Sequence, residues 1–119
     1  MTAASTPLVR VEAIVRPFVL DDLKERLQEL GIGGMTVVEV RGFGRTAGRK
    51  EVHRGSAYVI DFIPKLMVQI VAPAARLDEL VDAIRSVAAT GRIGDGKIFI
   101  LPVLDVVRIR TGERGESAV

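Results

Sequence analysis

Residues 90–97, Thr-Gly-Arg-Ile-Gly-Asp-Gly-Lys, hold three glycines and two cations in eight positions. Glycine lets a backbone turn tightly and bring its N–H groups up to an anion. A lysine at the end of such a turn reaches phosphate oxygens as a point charge. The chemistry implied is phosphate binding. Gly91, Gly96 and Lys97 satisfy the first seven positions of G-x-x-x-x-G-K, but Ile98 stands where that motif needs a magnesium-binding Ser or Thr. The order of elements is also reversed. The motif runs strand, loop, helix, so that the helix N-terminus faces the phosphates; here a helical pattern precedes the loop and an apolar, strand-like run follows it. The segment therefore reads as a phosphate-contacting loop of another kind.

Cations gather in a second glycine-rich stretch. Arg45, Arg49, Lys50 and Arg54 fall among Gly42, Gly44, Gly48 and Gly55. A loop of that length inside a small domain is uncommon and usually functional. Its Gly42-Phe43-Gly44-Arg45-Thr46-Ala47-Gly48 run misses the dinucleotide fingerprint by one residue, and no βαβ unit surrounds it. Arg108 and Arg110 form a third group near the end. Cations concentrated in glycine-rich loops suggest a small anionic ligand; for the cluster Arg45, Arg49, Lys50 and Arg54 alone, an ordinary solvated loop is the plainer account.

Composition narrows the classes. A chain of 119 residues with 48% hydrophobic and 27% charged content is a soluble globular domain with a real core, too short for two. The net charge of +2 argues against a general nucleic-acid binder. No cysteine means no disulfide, thiolate metal site or thiol nucleophile, and one histidine, His53, means no histidine metal cluster. Residues 1–7 lack the basic end and apolar centre of a signal peptide, so the expected address is cytoplasmic.

The elements that must hold these loops follow from periodicity. Residues 9–15 alternate, with Val9, Val11, Ala13 and Val15 on one face, and Pro17 ends that strand. Leu20, Leu23, Leu27 and Leu30 then recur at helical spacing, with Asp21 and Asp22 in the first turn and Gly31 as the stop. Residues 35–41 predict a second strand. Residues 58–62 re-enter β structure, Pro64 interrupts it, and residues 67–72 predict a third strand. Leu77, Leu80, Val81, Ile84, Val87 and Ala88 predict a second amphipathic helix. Residues 98–101 predict a final strand, 106–110 a further extended piece, and 111–119 a loose polar tail. The order β-α-β-β-α-β is the ferredoxin-like arrangement: an α+β fold with a four-stranded antiparallel sheet, two helices on one face and a long loop between strands 2 and 3. The other face carries Ile14, Val38 and Val40 among polar residues, which points to covering by neighbouring subunits.

These residues resemble the PII signal-transduction family over nearly the whole chain. The resemblance rests on Glu12-Ala13-Ile14-Val15-Arg16-Pro17-Phe18 with Leu20-Asp21-Asp22, on Gly34-Met35-Thr36-Val37, and on Gly42-Phe43-Gly44-Arg45. It continues through His53-Arg54-Gly55-Ser56-Ala57-Tyr58, Asp61-Phe62-Ile63-Pro64-Lys65, Gly94-Asp95-Gly96-Lys97-Ile98-Phe99 and Arg108-Ile109-Arg110-Thr111-Gly112-Glu113. With the small polar composition of the two ends, the expected organisation is a flexible leader over residues 1–7, a PII-like domain over 8–112 with an exposed loop at about 43–62, and a flexible tail over 113–119.

The resemblance also implies a homotrimer with ATP or ADP, and AMP as a further candidate, in clefts between subunits. Thr36 and Val71 would hold the adenosine. Gly44, Arg45, Thr46 and the loop Gly94, Asp95, Gly96 and Lys97 would line the phosphates, with Arg108 and Arg110 reaching in from the adjacent subunit. Lys65 would pair with the carboxylate of 2-oxoglutarate, with Thr46 beside it. Tyr58 matches the tyrosine uridylylated in many bacterial members, although a plain strand-entry tyrosine fits the same position. Such a protein is a non-enzymatic regulator that controls a target transporter or enzyme in nitrogen regulation through its long loop. One departure keeps a second version open. Thr46 stands where the family usually has a glutamine that ligates Mg²⁺ accompanying ATP, and threonine is shorter in reach. The alternative is a divergent PII-like sensor of nucleotide ratio and another small anion such as bicarbonate, linked to carbon metabolism. Two other classes need more than the sequence contains: a nucleotide phosphohydrolase would need a base at Asp95, where a turn residue is the plainer reading, and a ligand-free structural trimer would leave the clustered cations unrelieved.

Overall fold

The computed structural model describes residues 7–43 and 62–119, so the readings of Gly44, Arg45, Thr46 and Tyr58 lie outside the described residues. Alternation in the first strand, β1 (Leu8–Val15), turns Val11, Ala13 and Val15 inward to at most 2% exposure. The helix that follows, α1 (Leu20–Glu29), contributes Leu23 and Leu27 to the same interior. Gly31, at φ +78°, stops it as the leucine spacing and the glycine predict. Strands β2 (Thr36–Gly42) and β3 (Ile63–Pro73), helix α2 (Leu77–Ala88) and strand β4 (Lys97–Val103) complete the order.

The strands lie in the order β2-β3-β1-β4, every adjacent pair antiparallel. This is the expected ferredoxin-like sheet, and Leu80 and Ile84 of α2 join the α1 leucines over Val68 and Ile70 of β3. Register sorts the side chains. Val11 faces Ile70 and Ala13 faces Val68 on the helix side. Thr36, Val38 and Val40 share the opposite side with Gln69, Met67 and Lys65 of β3, and there β1 adds Arg10, Glu12 and Ile14, and β4 adds Lys97, Phe99 and Leu101. No helix among the described residues is long and apolar enough to cross a membrane.

Two segments differ from the sequence reading. Pro64 does not interrupt β3, which runs unbroken from Ile63. The reason is register: β1 ends opposite Leu66, so Ile63 to Lys65 have only β2 beside them, and a strand tolerates proline where one side is unpaired. Residues 106–110 form no strand. Instead Val107 makes a single antiparallel bridge to Arg114, and the Gly115 amide donates to Val106 O at 3.0 Å. The chain read as a tail therefore folds back on residues 105–108, with a short 3-10 turn at Gly115–Ala118.

Candidate functional site

Antiparallel pairing brings four chain segments to one end of the sheet. The C-terminal ends of β1 and β2 and the N-terminal ends of β3 and β4 all finish there, with Ile14 opposite both Met67 and Lys97, and Gly42 opposite Ile63. Arg16, Gly42, Lys65 and the loop before β4 consequently meet, although up to 80 positions separate them in sequence. They line a cleft of 680 Å³ together with Phe18, Phe43 and Phe99.

The loop is held by its own carboxylate. Asp95 Oδ2 accepts from the amides of Thr90 at 2.7 Å and Gly91 at 2.9 Å. Its Oδ1 accepts from the Thr90 hydroxyl and from Arg16 Nη1. The Thr90 hydroxyl oxygen also accepts from the Arg92 amide at 3.1 Å. These donors stabilise the anion, the Thr90 hydroxyl and amide foremost and the Arg16 guanidinium after them, and hold Asp95 well below the usual carboxylate range. Arg16 Nη2 donates on to Ile93 O at 2.9 Å.

Two glycines then bring the backbone close. Gly96 has φ +108°, and a Cβ there would lie 1.7 Å from Ile14 O, so only glycine lets the loop rest on the end of β1. Gly94, at φ +104°, lies against the Arg16 guanidinium. Lys65 Nζ donates to Gly94 O at 2.6 Å. Burial and the neighbouring Arg16 push the Lys65 ammonium below its ordinary range, with Asp95 opposing them.

The resulting site is cationic. Asp95 neutralises Arg16, while Lys65, Arg92 and Lys97 have no ion-pair partner among the described residues. A cleft with ammonium groups, a glycine-rich backbone and aromatic walls suits a polyanion carrying a flat apolar part. Among the described residues no group of three or more His, Asp or Glu could hold a metal ion, and Thr46 lies outside them.

Of the residues singled out in the sequence, Lys65, Gly94, Asp95, Gly96 and Lys97 come together here. Thr36 and Val71 share the helix-free face with Lys65 but sit nearer the other end of the sheet. Arg108 and Arg110 follow β4, which carries the chain the length of the sheet from Lys97 to Val103, about 20 Å at the usual strand rise. Arg108 pairs with Glu113 at 2.7 Å and donates to Ser117 O at 3.1 Å. Sequence reasoning placed Thr90 in the loop but gave its side chain no role, and it missed Arg16 as part of the site. The signal for the Thr90 side chain was its spacing five residues before Asp95, which suits a side chain closing its own turn.

The profile of a family described as "Nitrogen regulatory protein P-II" matches residues 8–113. The chain belongs to this P-II family. A P-II protein of Azospirillum brasilense is 52% identical over 110 residues, covering 92% of this chain and 98% of that protein, and P-II 1 of Escherichia coli strain K12 gives the same figures. Among solved structures, Arabidopsis thaliana PII bound to citrate superposes with a TM-score of 0.79 at 41% identity, covering 96% of this chain and 94% of that one. The GlnK–ATP complex of B. subtilis superposes with a TM-score of 0.80 at 29% identity, covering 98% and 100%. P-II proteins are regulators by name, and these two were solved with a polycarboxylate and with a nucleoside triphosphate.

Proposed function

We propose that this P-II chain is a non-enzymatic regulator, a homotrimer that binds ATP or ADP in clefts between its subunits. In this reading it controls a target transporter or enzyme through residues 43–62. The observation that carries the reading is the separation of its cations. The loop ending at Lys97 opens β4, whereas Arg108 and Arg110 come after that strand has run the length of the sheet to Val103, which favours a site that draws on two copies when both groups contact one ligand. Thr36 and Val71 on the helix-free face would lie along the adenosine. The relative solved with ATP supports the ligand class.

The second effector in this reading is 2-oxoglutarate, paired with Lys65 at the cleft beside the loop. Its role would be to shift residues 43–62 among conformations and so change which targets they touch. The relative solved with citrate supports a carboxylate site in the fold. Thr46, in place of glutamine, favours a second version in which Mg²⁺ and 2-oxoglutarate play no part and nucleotide ratio is read with another anion such as bicarbonate. Tyr58 is proposed as the position of uridylylation in the first version.

Calorimetric titration of ATP and ADP, with and without Mg²⁺ and 2-oxoglutarate, tests the reading. Nucleotide binding tightened by 2-oxoglutarate, with the reciprocal effect of ATP on 2-oxoglutarate, supports nitrogen regulation. Binding indifferent to 2-oxoglutarate selects the second version. No binding of either nucleotide overturns both.

A further inference from the structure

An acid in the middle of a phosphate loop is at first sight a liability, since it should repel the ligand. The Asp95 carboxylate escapes that conflict by its direction. It faces into its own loop, with Thr90 N, Thr90 Oγ1, Gly91 N and Arg16 Nη1 as donors. Its charge is matched by Arg16, and none of its contacts reaches Lys97 or Lys65. We propose that Asp95, clamped by Thr90 and Arg16, is a positioning residue that presets the loop of Gly91 to Lys97 for phosphate and makes no ligand contact through its side chain. The inference rests on the nucleotide-binding reading above and assigns Asp95, Thr90 and Arg16 a role that motif matching to the loop does not supply.

The physical argument is preorganisation. A loop with glycines at 91, 94 and 96, all at positive φ, has many accessible conformations when untethered, and each must be given up on binding. The clamp removes that freedom before the ligand arrives. It ties the loop's first two amides to its sixth residue, and through Arg16 it ties the loop to the end of β1. Ile93 O on Arg16 and Gly94 O on Lys65 fix the intervening peptides. The backbone N–H groups and Lys97 are then held for an anion, while the Asp95 carboxylate is turned into its own loop and its charge is offset by Arg16.

The test compares ATP with AMP in the wild type and in Asp95→Asn, Thr90→Val and Thr90→Ser. An asparagine loses the charge and presents an N–H₂ group to donors, whereas serine keeps the hydroxyl. The expected result for Asp95→Asn and Thr90→Val is ATP binding weakened about tenfold or more, the scale of a lost charge-assisted hydrogen bond, with AMP weakened clearly less. Thr90→Ser should keep wild-type affinity. In the unliganded wild type the Thr90 and Gly91 amides should be protected from hydrogen exchange, and Asp95→Asn should release them while core amides of β1 and β3 stay protected. Unchanged ATP affinity in Asp95→Asn, equal losses of ATP and AMP, or unprotected Thr90 and Gly91 amides in the wild type would each overturn the proposal. If Asp95→Asn does not fold, Thr90→Val and the wild-type exchange carry the same criteria. A wild type that binds no nucleotide is a separate outcome, seen before any variant is made: it overturns the parent reading and this inference with it.

Discussion

At Gly96 the backbone passes so close to β1 that a methyl group would overlap Ile14 O. Alanine there meets both the strain of positive φ, about 1–2 kcal/mol, and a clash with backbone that cannot turn aside. Gly96→Ala is expected to lift the loop off β1 and destabilise the chain by about 2 kcal/mol or more, read from urea midpoints, and to weaken ATP binding. Asp95 makes a pH prediction. Its folded-state pKa is depressed, first by the Thr90 hydroxyl, so its contribution is fully present above the unfolded-state value near ~4 and is lost as pH falls below it. The wild type should therefore lose stability between about pH 5 and 2 more steeply than Asp95→Asn, in urea titrations at stepped pH. Equal slopes would mean that the carboxylate contacts are absent in solution.

The elements owe their stability to one layer of side chains between sheet and helices. Leu23 of α1 and Leu80 of α2 are at most 1% exposed and pack on Val68 and Ile70. Truncating either leaves a cavity in a dense interior, so Leu23→Ala should cost about 3 kcal/mol in chemical unfolding. Capping contributes little, since neither helix has a side-chain N-cap hydrogen bond. Acids in both first turns, Asp21 and Asp22 in α1 and Asp78 and Glu79 in α2, supply the dipole term instead. Strand length matters for function as well as stability. Because β4 spans the sheet, it carries the chain about 20 Å between the proposed phosphate loop at its start and the segment that leads to Arg108.

For the whole molecule, the helix-free face of the sheet is the dominant feature. Val38 and Phe99 are 38% and 49% exposed there, around a polar centre where Gln69 donates to Glu12 at 3.0 Å. Beside them Arg10 Nε lies 3.0 Å from Glu12 Oε2 without an aligned hydrogen bond. Leu104 and Ile109, near the C-terminal end, are fully exposed. Such a surface is far more apolar than an isolated domain needs, and the proposed trimer would cover it. Met67, in the middle of this face opposite Val38 and Ile14, gives a direct test. Met67→Glu should sediment as a monomer and lose nucleotide binding with it, since the proposed site is split between copies. A monomer that still binds ATP with wild-type affinity would count against a site between subunits.

Much of this was legible in the residues alone. Local periodicity determined the two helices, the alternation of β1, the stop at Gly31 and hence the βαββαβ order, because each depends on neighbours within four positions. Glycines and cations at 90–97 marked the loop as a candidate anion site, because residue type sets which ligands a loop can suit. Strand pairing decided the rest. Pro64 could sit inside β3 only because β1 ends at the register of Leu66, a fact about a partner strand some fifty residues away. The Arg16–Asp95 clamp joins positions 79 apart in sequence, and no pattern within either segment announces it. The turn of Asp95 onto Arg16 exists only once the sheet has formed. Residue chemistry acts locally and can be read along the chain; charge matching and distance are properties of neighbours in space.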